Sequence, residues 1–305
     1  MEWPLVSVIT INYDQPEVTC QMLASLQRIT YPRFEVIVVD NASPTHDPNI
    51  ITDMFPGCTM IVSDKNLGFA GGNNLGIRHS KGDYILLLNN DTEVDPGFLE
   101  PLVLKLVSNP RIGAVSPKIR FYYEPDIFQY AGLSEINPYT IRSHGIGYRV
   151  PDKGQYDHDR QTAYVHGAAM MVPRIVAKKV GLMAEQYFLY YEELDWGIRI
   201  RNAGYQLWYV HESVVFHKES VTTGKMSPLK TYYMNRARIL YMRRNIHGMQ
   251  FVLALAFMLL ISVPKNLAYF LFSARTNHFR AYFSALLWHI RHLAAKEIHK
   301  NPVLR

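Results

Sequence analysis

Residues 83–94 read DYILLLNNDTEV, and this stretch decides the fold. Four consecutive apolar residues, Ile85–Leu88, make a strand buried on both faces, and the chain then turns polar within one step, at Asn89, Asn90 and Asp91. The same switch occurs twice upstream. Leu5 to Ile11 is a short apolar strand carrying Thr10 and followed by Asn12, and Phe34 to Val39 (FEVIVV) ends on Asp40, Asn41 and Ser43. Between them, Glu17 to Leu26 has helical spacing at Val18, Met22 and Leu26. A shorter run at 60–62 reads as an edge strand. Strand, helix and strand at this pitch predict a mostly parallel sheet with helices on both faces. In such sheets ligands sit beyond the carboxyl ends of the strands, where this chain keeps its polar residues.

The rest of the composition sets limits. The chain has 305 residues, 48% hydrophobic and 19% charged, too apolar for a disordered protein and too polar overall for a multi-span membrane protein. Two cysteines cannot make a disulfide framework and read as small buried hydrophobes in a reducing compartment. The opening MEWPLVSVITINY lacks the pattern of a secretory signal, so a cytosolic N-terminus is expected. Charge is divided unevenly. Residues 1–224 hold 19 Lys/Arg against 25 Asp/Glu, whereas residues 225–305 hold 13 against one acid, Glu297. In that basic part, Phe251 to Val263 is an unbroken apolar run, cut at Pro264 and resumed to Phe272. Phe279, Tyr282, Phe283, Leu286, Leu287, Ile290 and Leu293 then form one helical stripe. Apolar stripes flanked by Arg and Lys predict helices lying in the headgroup region of an anionic membrane surface, with a core hairpin or a spanning hairpin as the alternatives. Nucleic-acid binding is disfavoured, because the basic residues alternate with long aliphatic runs. The expected division is an α/β unit at 1–224 followed by basic amphipathic helices at 225–305. Residues 121–160, rich in Tyr, Pro, Gly and Asp, read as a long surface excursion, either a lid over the site or a variable loop.

Several residues are candidates for chemistry. Asp40 at a strand end suits a nucleobase imide or ribose hydroxyls, or else caps a turn. The segment from Asn66 to Gly76, with Gly68, Gly71, Gly72 and Asn73, allows close backbone approach to a ligand, or else is a structural turn; it matches neither a dinucleotide fingerprint nor a P-loop. Asp91 at the sheet rim is a hard oxygen ligand suited to Mg2+ or Mn2+ on a diphosphate, or a turn residue. In Tyr190-Tyr191-Glu192-Glu193-Leu194-Asp195-Trp196, three carboxylates in four residues repel one another, so one is expected to have a raised pKa, as a general base does; the alternative is an acidic helix start favoured by the helix dipole. His217 follows an apolar strand, and His144 and His166 stay unassigned.

Taken in order, VSVITINY, VIVVDNAS, NLGFAGGNN, DYILLLNNDTEV, YVHGAAMMVPR, YYEELDWGIRIRNAGY and VVFHKES resemble the inverting nucleotide-sugar glycosyltransferases of family 2, closest to the rhamnosyltransferase and galactofuranosyltransferase branch. The resemblance covers residues 5 to about 245. It implies a GT-A fold, a single Rossmann-like sheet with an acceptor region added, and a divalent cation, Mg2+ or Mn2+; residues 1–224 would then be the catalytic unit, with a nucleotide-binding half to about 120 and an acceptor half at 121–224. By position, Thr10, Asn12, Asp40 and the Asn66–Asn73 loop would hold the donor nucleotide, joined by Asn90. Asp91 would be the metal-binding acid of the DxD-like motif and His217 a second ligand. Glu193 would be the catalytic base, with Glu192 and Asp195 orienting sugar and acceptor. The triplet departs from the pattern at its first position, which is Asn89. The expected partners are a nucleoside-diphosphate sugar and a polyprenyl-diphosphate-linked saccharide or polysaccharide at the cytoplasmic face of the membrane. A nucleotidyltransferase or a non-catalytic nucleotide-sugar-binding protein of the same fold is the alternative.

Overall fold

The computed structural model describes residues 3–218 and 227–304. The first half alternates strand and helix: β1 (Val6–Asn12), α1 (Pro16–Leu26), β2 (Phe34–Asp40), α2 (Asn49–Met54), β3 (Thr59–Val62), α3 (Gly68–His79) and β4 (Tyr84–Leu88). Then come β5 (Thr92–Val94), α4 (Leu99–Ser108), β6 (Ile112–Phe121), β7 (Glu124–Tyr130), β8 (Arg160–Thr162), β9 (Ala169–Pro173), α5 (Arg174–Val180), α6 (Glu192–Asn202) and β10 (Gln206–His217). All ten strands join one sheet, whose main path runs β3-β2-β1-β4-β9-β6-β10-β5, with β7 on β6 and β8 on β10. The β3-β2-β1-β4 half is parallel, and β9 inserts antiparallel between β4 and β6.

Packing follows from the apolar runs. Val6, Val8, Leu86 and Leu88 point to one face, where α1 and α4 cover them, and Ile9, Ile85 and Leu87 point to the other, against α3 and α6. Both faces are dry, as near-continuous Val/Ile/Leu strands require. The parallel register brings Asn12 opposite Asp40, so the polar strand ends line up on one rim.

Two sequence expectations are corrected here. The Gly/Asn-rich segment is no loop from Gly68 onward but helix α3, and two of its glycines serve helix–sheet packing: a Cβ at Gly76 would clash with Ile9 Cγ2, and one at Gly72 would lie 2.9 Å from Ile11 Cδ1. Residues 121–160 are not a loose excursion. Isolated bridges join Ile127 to Pro151, Leu133 to Gly145 and Asn137 to Arg142, and Asp152 ties the segment to Lys118 and Arg120 on β6.

After the catalytic unit come α7 (Pro228–Asn245), α8 (Gly248–Phe257), a π turn (Met258–Ser262), α9 (Val263–Phe272) and α10 (Thr276–Arg291). The expected junction near 224 lies outside the described residues. From Gly248 to Phe272 the chain is one helix, long and apolar enough to cross a membrane. Pro264 does not break it because the wider π turn just before loosens the ladder where the proline lacks its donor. This helix runs antiparallel along α7: Arg238 reaches Ser262 Oγ at 3.3 Å, and Ile239 and Met242 share a cleft with Ala254 and Phe257. α10 lies parallel to α7, joined by Thr231–His278 (2.8 Å) and by His289 Nε2 to the Arg236 carbonyl (2.9 Å). On α10 the buried residues are Tyr282, Ala285 and His289, while Phe283 and Ile290 of the expected apolar stripe face outward.

Candidate active site

The rim of the parallel half is a network of polar side chains that hold one another. Asn12 Nδ2 donates to Asp40 Oδ2 (2.8 Å), the Ser43 hydroxyl donates to the same oxygen (2.6 Å), and the Thr19 hydroxyl donates to Asn12 Oδ1 (2.8 Å). Asn90 Nδ2 donates to Thr19 Oγ1 (3.1 Å), so β1, α1 and the β4 rim form one chain of hydrogen bonds. Thr10 Oγ1 is buried with no hydrogen-bond partner among the described residues. Asn41 Oδ1 accepts from the Leu67 backbone N–H (2.9 Å) and its amide donates to Asn66 Oδ1 (3.0 Å), while Asn66 Oδ1 also accepts from Gly68 N–H (2.8 Å). Together they fix the start of α3. Gly68 has φ +69° and sits where a Cβ would meet the Phe188 carbonyl at 2.3 Å. Gly71 packs on Leu67, and Asn73 donates within its own helix to the Phe69 carbonyl (3.0 Å).

At the next strand end, Asp91 and His217 come together from positions 126 residues apart. Asp91 Oδ1 is 3.1 Å from His217 Nε2, and both side chains are buried. The other ring nitrogen, Nδ1, is 2.8 Å from Gln129 Oε1 on β7. In the tautomer whose Nδ1–H donates to that amide oxygen, Nε2 offers its lone pair beside a carboxylate, an arrangement that a divalent ion bound to both would satisfy. One carboxylate and one imidazole, with a partner orienting the imidazole, fit a divalent ion that takes its remaining oxygens from a substrate diphosphate. Among the described residues no group of three or more His, Cys, Asp or Glu converges on a metal-sized site. Lys218 pairs with Glu93 at 3.0 Å beside them, and Glu219 and Ser220 of the VVFHKES motif lie outside the described residues.

The acidic cluster opens α6. Three residues with positive φ precede it, Phe188 (65°), Tyr190 (71°) and Tyr191 (70°), a bent approach that presents the first helical turn to the rim. Glu193 is half-buried, and burial pushes its carboxyl up to about 7 although the backbone N–H groups at the helix start pull the other way. Glu192 is buried with Oε2 unpartnered among the described residues; burial and then the Glu193 charge push it well above the usual carboxylate range. Glu193 packs against Gly167, where a Cβ would lie 3.6 Å from its Cγ. The next residue, Ala168, accepts from the Asn89 N–H at 2.9 Å. The loop His166-Gly167-Ala168 therefore joins the helix that carries Glu193 to the strand end that carries Asp91.

Asp195, expected to orient sugar or acceptor, is instead committed to the fold. It is fully buried and accepts from Arg199 Nε (2.9 Å), Arg244 Nε (2.8 Å), Asn245 Nδ2 (3.0 Å) and the Tyr187 hydroxyl (3.2 Å). Burial opposes its charge, but the two guanidinium groups hold its pKa below the usual range. Sequence reasoning missed three supports. Gln129 orients His217. Asn74 holds the segment before α6 by accepting from Met183 N–H (3.1 Å) and donating to its carbonyl (2.8 Å). His166, which burial pushes down to about 3 with help from the neighbouring His217, stands neutral beside the Asp91 pair. None announces itself, because each is a single polar residue inside a regular element or a short loop.

A sheet with a parallel half, polar strand ends and helices on both faces has the GT-A architecture of glycosyltransferases. The chain belongs to glycosyl transferase family 2, whose sequence model matches residues 7–174. It is 26% identical over 244 residues to the N-acetylglucosaminyl-diphospho-decaprenol L-rhamnosyltransferase of Mycobacterium tuberculosis, covering 72% of this chain and 78% of that one. Among solved structures it resembles the mannosyltransferase PcManGT from Pyrobaculum calidifontis in complex with GDP-Man and Mn2+, at TM-score 0.55 and 15% identity over 95% of this chain and 76% of the other. GalNAc-T7 with UDP, GalNAc and Mn2+ superposes at TM-score 0.60 and 15% identity, over 89% of this chain and 58% of that one. These likenesses establish the fold, and the protein is a glycosyltransferase.

Proposed function

We propose that the protein moves a hexose, rhamnose or a close relative, from a nucleoside-diphosphate sugar to a lipid-linked saccharide in one inverting, metal-dependent displacement. The observation that carries this reading is the position of Glu193. A half-buried carboxyl with a pKa near 7 backs on the loop that also contacts the Asp91 strand end, so base and leaving-group site share one rim. Glu193 takes the proton of an acceptor hydroxyl while that oxygen bonds to the anomeric carbon, and the bond from that carbon to the nucleoside diphosphate breaks. Attack opposite the leaving group inverts the configuration. Asp91 and His217 would hold the divalent cation, which when bound offsets the charge of the departing diphosphate. Asn12, Asp40, Asn41 and Asn66 shape the nucleotide end mainly by holding the strand ends and the start of α3, and Thr10 has a hydroxyl left to give.

The acceptor side rests on the C-terminal helices and on the relative whose name specifies a decaprenol-linked saccharide. Exposed Leu260, Ile261, Leu271 and Phe272 line the long helix, and Phe283, Ile290 and Leu293 extend the apolar surface. The helix lies flat along α7, and α7 is bound to the catalytic unit through Arg236 to the Gln186 carbonyl (2.8 Å) and Arg244 to Asp195. A spanning orientation would take the five basic residues of α7 and the catalytic unit itself toward hydrocarbon, at a cost of several kcal/mol per charge. In-plane attachment at the headgroup level is favoured, with the site open to lipid-borne saccharides at the cytoplasmic face.

The test is a donor panel. Purified protein with Mn2+ or Mg2+ is given TDP-rhamnose, UDP-galactose, UDP-glucose and GDP-mannose beside a lipid-linked acceptor, with nucleoside diphosphate release and the anomeric configuration of the product as readouts. One donor turned over with inversion, and lost in Asp91→Ala, Glu193→Gln and chelator, is the expected result. Retention of configuration, or full turnover in chelator, would overturn the mechanism.

A further inference from the structure

His166 opens the loop that touches both halves of the site, and its side chain is half-buried. Its backbone N–H donates to Ser116 Oγ (3.3 Å) and its carbonyl accepts from the Ala169 N–H (3.2 Å), which pins the loop to β6 and to the start of β9. The ring leans on the buried Tyr130 ring at 5.3 Å between centroids and meets the His217 ring edge-on at 6.2 Å. One residue on, Gly167 backs on Glu193, and the Ala168 carbonyl accepts from the Asn89 N–H. The Ala168 N–H turns back and donates to His166 Nδ1 at 3.1 Å. A nitrogen that accepts there has its lone pair in the bond, so the ring is neutral and its one proton is on Nε2. Nothing among the described residues accepts from that Nε2–H.

We propose that His166 selects the transferred sugar, its Nε2–H donating to a hydroxyl oxygen of the donor hexose. The inference rests on the glycosyl-transfer reading above and names within it a residue that discriminates between sugars. In an in-line displacement the acceptor oxygen, the anomeric carbon and the leaving oxygen share one line, with Glu193 at the acceptor end and Asp91 with His217 at the leaving end. The loop 166–168 contacts Glu193 through Gly167 and the Asp91 strand end through Ala168. A ring carried by that loop and set against His217 therefore stands beside the middle of the line, where the sugar is. The chemistry of the donor agrees with that place. A neutral N–H gives one directional bond to a hydroxyl oxygen, whereas a diphosphate is better matched by a charged group. The ring is also held from three sides, by Tyr130, His217 and the Ala168 N–H, so the donor is fixed before substrate arrives. A fixed donor is satisfied by the epimer whose hydroxyl meets it and left unpaired by one whose hydroxyl points elsewhere, which is how such a site discriminates.

The test uses the full chain with Mn2+, the donors TDP-rhamnose, UDP-galactose, UDP-glucose and GDP-mannose beside a lipid-linked acceptor, and TDP, UDP and GDP as sugar-free probes. Two variants separate the two ring nitrogens. In His166→Asn, Oδ1 stands in the place of Nδ1 and still accepts from the Ala168 N–H, as in an Asx turn, but nothing reaches the place of Nε2. In His166→Phe both nitrogens are gone. In both variants kcat/KM for the preferred donor should fall about 10- to 100-fold and its preference over the next donor should shrink by a similar factor, while affinity for the matching sugar-free diphosphate stays within about twofold of wild type. His166→Asn should melt with the wild type, which separates the effect from misfolding. Wild-type turnover in His166→Asn, with the loss confined to His166→Phe, would reduce the ring to a support of its loop and overturn the proposal. An equal loss of sugar-free diphosphate affinity would move the contact to the leaving group, and a raised acceptor KM with donor preference intact would move it to the acceptor; either result overturns the sugar contact. A wild-type chain that binds no diphosphate and turns over no donor would fail before any variant is made, and would remove the glycosyl-transfer reading and this inference with it.

Discussion

The catalytic unit and the C-terminal helices solve opposite solvation problems with the same kinds of residue. In the unit, apolar side chains are packed between sheet and helices, and buried polar groups such as Asn12, Asp40 and Asn41 are paired. In the helices, Leu260, Leu271 and Phe272 face outward while Arg236, Arg243 and Arg244 turn inward onto carbonyls, a histidine and a carboxylate. Exposed apolar surface on that scale calls for a partner that is itself apolar. The difference supports the proposal that the C-terminal helices meet a membrane surface, and it makes Asp195 with Arg244 a seam between the two regions.

The largest effect is expected in the catalytic unit, at the half-buried carboxyl that burial raises to about 7. Glu193→Gln should lower kcat by about 10²- to 10⁴-fold, with donor binding kept, because it removes the proposed base and leaves the shape. Nucleotide binding by calorimetry beside turnover checks both halves of that statement. The same variant should melt slightly higher at pH 8. A carboxyl whose folded pKa is raised to about 7 opposes folding increasingly from its unfolded value near 4.5 up to 7, and by its full amount above that.

Breaking the seam comes next. Asp195→Ala leaves Arg199 and Arg244 facing each other without their carboxylate, and should cost about 3–5 kcal/mol in urea unfolding. A loss under ~1 kcal/mol would mean that the Asp195 cluster adds little to the join between the two regions. On the membrane side, Leu260→Ser with Leu271→Ser and Phe272→Ser should reduce vesicle partition by at least about tenfold while leaving turnover of a soluble acceptor analogue unchanged. Smallest is Gly76→Ala. The added methyl must displace Ile9 Cγ2 and Val39 Cγ2, so about 1–3 kcal/mol of stability should be lost with no change in KM for the donor. A large KM change would restore the glycine run as a ligand contact.

What could be read from the sequence follows the same division. The parallel strands were legible because burial on both faces leaves near-pure apolar runs, and the rim was legible because each run ends abruptly in Asn or Asp. The glycine run did not announce a helix, because closeness to a ligand and closeness to Ile9 and Ile11 demand the same residue. Pro264 hid the continuity of the long helix, since a π turn that absorbs a proline leaves no mark in composition. Gln129 and Asn74 stayed hidden because a lone amide in a strand or helix has no pattern. Asp195 was visible as a carboxylate, but its partners Arg244 and Asn245 lie 49 and 50 residues away.

The most direct test of the central claim is the pH dependence of kcat/KM for wild type and Glu193→Gln with saturating divalent cation. If Glu193 is the base, the wild-type rate rises with pH through a limb near 7 and levels off above it, and the variant loses that limb along with most of its activity. A limb near 7 that survives unchanged in Glu193→Gln would place the proton acceptor elsewhere and contradict the account.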